Sequence, residues 1–207
     1  MSTEIELKYK AESPAAGKSL LNSSFINEIS ISDSRDFLDM RAVYYDDRNR
    51  TLTSGGIGCR IRNENGRFIA TVKWNSAKDS SGFSKRCEYN AEVKSEYPDF
   101  SVFKEIIQEK EFADLITQIR PEALFVTEFR RELVLVNYRN SIIEAAFDCG
   151  NIISESGASL PICELEFELK SGSEEELQEF GRIVSEKFSL TPLNVSKLKR
   201  GLDLISE

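Results

Sequence analysis

The 207-residue sequence contains no histidine. That absence removes the commonest general base, the commonest nitrogen ligand for a metal and every Ser–His or Cys–His nucleophile. Whatever chemistry the chain performs falls to carboxylates, lysines, arginines and metals bound through oxygen. Cysteine is scarce: the four, at positions 59, 87, 149 and 163, form no Cys-x-x-Cys pair, and zinc has no histidine to complete a site. Long apolar runs are missing. None approaches the roughly 20 residues of a membrane span, and the start of the chain lacks the apolar stretch of a signal peptide, so a cytoplasmic protein with no membrane partner is expected. Positive charge falls short of negative, with 27 Lys and Arg against 35 Asp and Glu and a net charge of −8. General attraction to a nucleic-acid backbone is thereby disfavoured, no nucleic-acid partner is expected, and any polyanion has to find a local basic site. No linker, charge block or low-complexity segment divides the chain, which predicts one domain over residues 1–207.

Period-two alternation dominates what is present. It predicts strands over 3–10, 33–46, 57–64, 67–75, 82–95, 124–138, 141–149 and 160–170. Asn65-Gly66 tolerates positive φ at both positions, so the third and fourth strands are expected to pair as a hairpin. Helices are expected in four places. Ser13-Pro14 caps a short one, and Ser101 begins a segment carrying Val102, Phe103, Ile106 and Ile107, with Pro121 ending the helical stretch beyond it. Ser173 with Glu176 reads as a capping box ahead of Leu177, Phe180, Val184 and Phe188, and Ser196 caps a last helix with Leu198, Leu202 and Ile205.

Several strands carry one apolar and one charged face. Residues 163–169 set Cys163, Leu165, Phe167 and Leu169 against Glu164, Glu166 and Glu168, while 59–62 sets Cys59 and Ile61 against Arg60 and Arg62. Arg86 with Glu88, and Glu144 with Asp148, oppose apolar neighbours in the same way. The cysteines fall on the apolar side, as small buried hydrophobes with reduced thiols. A solvated sheet face is one reading of the charges. Against it, the charges are sorted by strand, cations at 60–73 and carboxylates at 164–168, which suggests two walls facing one another. Eight antiparallel strands closed with charged faces inward and helices outside make a small barrel with a charged lumen, an α+β fold. Cations on one wall suit phosphate, and carboxylates on the other suit Mg²⁺ or Mn²⁺. Two carboxylates about 5 Å apart repel by roughly 3 kcal/mol at an effective dielectric near 20. The acidic wall is therefore expected to be strained until a metal neutralises it.

Glu4-x-Glu6-x-Lys8 resembles the signature of the CYTH family, the triphosphate tunnel metalloenzymes. The likeness continues through YYDD at 44–47, CRIRNENGRF at 59–68, TVK ending at Lys73, KRCEYN at 85–90, TEFRRE at 127–132, IEAAFD at 143–148, PICELEFEL at 161–169 and SKLKRG at 196–201. RIRNENGR and PICELEFEL most resemble the bacterial inorganic triphosphatase branch, some members of which append a histidine-rich helical domain with no counterpart in these 207 residues. The resemblance implies an eight-stranded tunnel, dependence on Mg²⁺ or Mn²⁺, and hydrolysis of tripolyphosphate to pyrophosphate and phosphate. The alternatives are a thiamine or nucleoside triphosphatase, a class IV adenylate cyclase and a non-catalytic polyphosphate-binding module. Carried over by position, it makes Lys8, Arg60, Arg62, Lys73, Arg86, Arg131 and Lys197 catalytic and substrate-binding, and adds Arg200 to the substrate contacts. Metal binding falls to Glu4, Glu6, Glu88, Glu144, Asp148, Glu164, Glu166 and Glu168. Parity favours Arg131 over Arg130 for the lumen. The expected partner is a triphosphate-containing small molecule, held by a monomer or homodimer. Gly55-Gly56-Ile57-Gly58 reads as a hairpin entry, 78–84 as a turn at a tunnel rim, and Trp74 as a packed strand aromatic, with stacking on a base or thiamine ring as its alternative.

Overall fold

The computed structural model describes residues 1–206, the side chains at positions 75 and 76 excepted. In chain order the elements are β1 (Ser2–Lys10), α1 (Pro14–Leu21), α2 (Ser24–Ile29), β2 (Asp36–Asp46), α3 (Thr51–Ser54), β3 (Gly58–Glu64), β4 (Arg67–Lys78) and β5 (Phe83–Val93). They continue with α4 (Phe103–Ile106), α5 (Lys110–Gln118), β6 (Glu122–Tyr138), β7 (Ser141–Ser154), β8 (Ser159–Ser171), α6 (Glu174–Phe188), β9 (Thr191–Pro192) and α7 (Lys197–Leu204).

The strands are antiparallel and run β5-β4-β3-β2-β6-β7-β8-β1 around the sheet, and pairing of β1 with β5 closes it. This is the eight-stranded closed barrel expected, with helices packed outside and the two-residue β9 added to the end of β1. Asn65 and Gly66 join β3 to β4 with φ of 49° and 93°, as the hairpin signal required. The β6–β7 and β7–β8 ladders are the longest, and β7 and β8 reach beyond their expected ends to pair Ile153 with Ser159. Gly150 reads locally as a strand end. In the barrel it is a point of close approach, where a Cβ would lie 2.1 Å from the Glu128 carbonyl oxygen of β6.

α1, α2, α6 and α7 start at serine caps, whereas α4 begins after Val102 with no side-chain cap and not at Ser101. Ser13, Ser173 and Ser196 each accept the backbone N–H three residues on, at 3.2 Å. The capping box at Ser173 is half-made, because Glu176 turns instead to the Ser141 hydroxyl on β7. The short α2, capped by Ser23, has no apolar stripe long enough to announce itself.

Two apolar clusters lie outside the barrel. One places α1, α2 and α6 on the backs of β1, β7 and β8 through Leu21, Phe147, Phe167 and Phe180. The other places α4 and α5 on the backs of β3, β4 and β5 through Ile61, Val72, Phe103 and Ile116. A third lies at one end of the barrel, where Leu198 and Leu202 of α7 meet Tyr44, Phe125, Phe129, Ile152 and Ile162. Thus α7 sits across that end and is positioned to contribute side chains to the lumen. The cysteines are free and on the outer side as expected, but only Cys59 is buried, where desolvation pushes its thiol upward; Cys87, Cys149 and Cys163 are half-buried because the helices cover their strands incompletely.

Gly17 shows how closely the outer layer fits. A Cβ on it would lie 2.2 Å from the fully packed Phe147 ring. Gly17→Ala is therefore expected to lower unfolding free energy by about 1–3 kcal/mol through overpacking, although alanine is the better helix former by about 1 kcal/mol. Urea denaturation checks this, with Ser19→Ala on the exposed side of α1 changing stability by less than about 0.5 kcal/mol.

Candidate active site

Strand parity turns one side chain in two toward the lumen, and the inward set encloses a cavity of about 560 Å³. β1 supplies Glu4, Glu6 and Lys8, β3 supplies Arg60 and Arg62, β4 supplies Lys73, and β5 supplies Arg86 and Glu88. β6 supplies Arg131, β7 Glu144, β8 Glu166 and Glu168, and α7 Lys197. In a chain of net charge −8, ten Lys and Arg against seven Glu line this cavity. The lumen is thus an island of positive charge inside an acidic protein.

Most of those charges are paired, and the pairing is densest beneath α7. The Lys197 ammonium donates to Asp148 at 2.7 Å, to Glu166 at 3.0 Å and to Glu164. Arg131 forks onto Asp148 at 2.7 and 2.8 Å and also reaches Glu166. Arg200 backs Glu164 from the far side, and Lys8 holds Glu166 at 2.9 Å. Asp148 and Glu164 are fully buried behind these cations and do not line the cavity. Burial alone would raise the Glu166 carboxyl, but Lys197, Lys8 and Arg131 outweigh it and hold it well below the usual carboxylate range. The expectation of a strained acidic wall is overturned here. Repulsion between neighbouring carboxylates is real, but cations from β1, β6 and α7 already neutralise it, and those partners are remote in sequence.

A second group lies along β1, β4 and β5. Glu4 meets Lys73 at 2.5 Å and Arg86 at 2.9 Å, Arg86 also binds Glu6, and Lys73 reaches Glu88 at 3.1 Å. Against the upward pull of burial, Lys73 and Arg86 hold the Glu4 carboxyl far down. Lys170 joins Glu168 at 2.9 Å to Glu144 at 3.3 Å, and Glu144 lies 3.7 Å from Arg131. Glu168 moves the other way: burial raises it, and the charges of Glu4 and Glu144 add to that against Lys170.

Arg60 and Arg62 carry fewer ion pairs than the lumen arginines Arg86 and Arg131. Arg60 donates to the Tyr44 hydroxyl at 3.1 Å and, among the described residues, makes no ion pair with a carboxylate. Arg62 has only Glu64, at 2.6 Å. Burial, with the charges of Arg60 and Arg131 nearby, pushes Arg62 down to about 10. The Nε atoms of both are buried without a hydrogen-bond partner among the described residues. Two guanidiniums on β3, one without an ion-paired carboxylate among the described residues and one paired only with Glu64, thus face the cavity, an arrangement suited to binding an anion.

Some lumen features lie outside the sequence expectations. Tyr44 enters those only as part of YYDD; its ring stacks on Phe125 at 4.6 Å, and Arg60 draws its hydroxyl below the usual tyrosine value against the upward pull of burial. Leu38 and Met40 of β2, with Phe129 and Leu133 of β6, give the cavity an apolar sector between the charged walls. Strand parity with Arg131 and Arg60 was the available signal. Arg130 points outward over the Phe37 ring at 5.2 Å. Trp74 packs against Tyr89 and Phe112 in the outer cluster, and Gly55 ends α3 ahead of β3.

For a divalent ion, the donor chemistry is favourable. Oxygens of Asp148, Glu164 and Glu166 all lie within 4.8 Å of one another. The eight acids assigned to metal binding do not converge on one point: these three cluster, while Glu4, Glu6, Glu88, Glu144 and Glu168 are spread along the cavity wall. Hard carboxylate oxygens suit Mg²⁺ or Mn²⁺. At the three-acid cluster Lys197 has to yield before an ion can enter.

A closed antiparallel barrel around a cavity of carboxylates, lysines and arginines is a family architecture. A CYTH domain matches residues 2–202, and the chain belongs to the CYTH family. It is 33% identical over 202 residues, 97% of its own length, to the inorganic triphosphatase of Haemophilus influenzae, and it spans about half, 54%, of that protein. Among solved structures it is similar to a Hippeastrum protein described as a candidate adenylyl cyclase with a dominant triphosphatase activity, with a TM-score of 0.66 and 15% identity over 97% of this chain and 95% of that one. It is also similar to the PH1012 protein of Pyrococcus horikoshii, with a TM-score of 0.56 and 16% identity over 98% and 99% of the two chains. At such identities the two structures are likenesses of fold.

Proposed function

We propose that this chain hydrolyses inorganic tripolyphosphate to pyrophosphate and phosphate with the help of Mg²⁺ or Mn²⁺. The observation that supports the reading is the net-positive cavity, in which Arg60 makes no ion pair with a carboxylate among the described residues and Arg62 makes one, with Glu64. In this reading both arginines grip phosphate oxygens. Lys8, Lys73, Arg86 and Arg131 exchange part of their carboxylate pairing for the substrate's charge as it spreads over the transferred phosphoryl group. Lys197 turns from its acids toward the substrate, and Arg200 keeps Glu164 in place. Water adds to phosphorus as the bridging P–O bond breaks, and no covalent nucleophile is required. Glu4, Glu6, Glu164, Glu166 and Asp148 are the residues to hold a divalent ion, with Glu88, Glu144 and Glu168 as neighbouring acids. When bound, such an ion supplies charge neutralisation and a more acidic water.

An organic triphosphate is the second reading, favoured by the apolar sector of Leu38, Met40 and Leu133, which could receive a ring. The protein is further proposed to act in the cytoplasm as a monomer or homodimer, apart from membranes and nucleic acids. The deciding experiment offers tripolyphosphate, ATP and thiamine triphosphate with Mg²⁺ or Mn²⁺ and resolves phosphate from pyrophosphate. Preferred turnover of tripolyphosphate, lost on chelation, is the expected outcome. Preference for an organic substrate moves the assignment to the second reading, cyclic AMP with pyrophosphate to a cyclase, and metal-independent binding without turnover to a binding module.

A further inference from the structure

Cys149 on β7 and Cys163 on β8 stand directly opposite each other in the barrel wall. Which kind of antiparallel pair they form can be read from the neighbouring ladder. The Cys163 carbonyl accepts the Ala11 N–H at 3.0 Å, on the β1 side of the strand. In an antiparallel strand a residue's N–H and C=O point to the same neighbour, so Cys163 directs neither toward β7. The cysteines are thus a non-hydrogen-bonded pair, for which opposing Cα atoms lie about 4.5 Å apart and side chains approach most closely. That separation falls inside the ~4.4–6.8 Å range a disulfide spans. Both thiols are free and half-buried, so a small reagent can reach them. Cys59 is buried opposite Val72 and Tyr45, and Cys87 faces Thr3 and Trp74, so neither has a cysteine across the ladder.

We propose that Cys149 and Cys163 form a dithiol modification site on the outside of the barrel, which a low-molecular-weight disulfide of the glutathione class converts reversibly to an intramolecular disulfide. One protein thiolate attacks a sulfur of the reagent, giving a mixed disulfide and expelling one reagent thiolate. The second protein thiol loses its proton and attacks the first protein sulfur, expelling the other reagent thiolate. Overall, two protein thiols are oxidised and one reagent disulfide is reduced to two thiols. The linkage braces the wall that carries Asp148 and Glu164, because each cysteine adjoins one of these acids and faces the opposite side of the sheet. It does not depend on what the lumen binds.

The test is intact-mass measurement and peptide mapping of the folded native protein after exposure to oxidised glutathione. The expected product has lost the mass of two hydrogens, carries a 149–163 link and returns to its starting mass with dithiothreitol. Cys149→Ser is expected to block the link and retain one glutathione on Cys163, and Cys87→Ser to leave the link unaffected. Stable glutathione adducts on both cysteines, a link involving another cysteine, or no modification of either residue would each overturn the proposal.

Discussion

Glu166→Gln, heated in the absence of divalent ions, is expected to melt on the order of 10 °C below the native protein. Lys8, Lys197 and Arg131 all meet the Glu166 carboxylate, and Glu166 has 8% of its surface exposed. Neutralising it leaves three inward cations short of a counter-charge in a poorly solvated site. Breaking a buried ionic pair from one side costs about 3–5 kcal/mol, and each kcal/mol moves the melting temperature of a chain this long by about 2–4 °C. Glutamine keeps some hydrogen bonding, so the loss lies toward the smaller value. The acid dependence has the same sign. A carboxyl whose folded value is depressed stabilises the fold above its unfolded value, near 4.3, and this contribution is lost as pH falls through the folded value. Glu4 and Glu166 are both depressed, so native stability falls in acid, and the Gln variant has a shallower acid limb. Calorimetry against pH checks both. A variant that melts at or above the native temperature would mean that the acidic wall is strained after all.

Arg62→Ala is expected to behave in the opposite way, losing activity while keeping or gaining stability. Its guanidinium is pushed down to about 10 by burial and by Arg60 and Arg131, so folding disfavours its charge. For a base with a depressed folded value, that penalty is fully present at neutral pH and is relieved only as pH rises through about 10. Removing the side chain removes the penalty and gives up only the pair with Glu64, which stays partly solvated, and because Arg62 borders the cavity no dry void is left. If tripolyphosphate is the substrate, kcat/KM should fall by about 10²–10³, the usual effect of losing one preorganised donor to developing charge. Arg62→Lys should recover part of this, since lysine keeps a charge but not the bidentate grip. Steady-state kinetics and thermal melting of the same samples decide the matter. Unchanged kinetics place Arg62 outside substrate binding, and a large loss of melting temperature makes it a structural residue.

The paired opposite responses expected of Glu166 and Arg62 separate what is local in this protein from what is not. Strand alternation repeats every two residues, so the inward parity of Arg60 and Arg62, of Glu164, Glu166 and Glu168, and of Glu4, Glu6 and Lys8 was already determined by the sequence. Asn65-Gly66 and the serine caps are equally local, because positive φ and a hydroxyl three residues from an N–H depend only on adjacent chain. Closure was legible only in outline, from the sorting of charge by strand, cations at 60–73 and carboxylates at 164–168, which suggests facing walls. Which cation meets which acid was decided by tertiary structure alone. Lys197 reaches Asp148 across 49 positions, Arg86 reaches Glu6 across 80, and Lys73 reaches Glu4 across 69. Those distances in sequence vanish only when β5 meets β1 and α7 crosses the end of the barrel. The same closure leaves Arg60 and Arg62 without full partners, places the apolar sector of Leu38, Met40, Phe129 and Leu133 beside them, and brings Cys149 opposite Cys163. Electrostatic partnership depends on separation in space, whereas a single sequence specifies directly only separation along the chain.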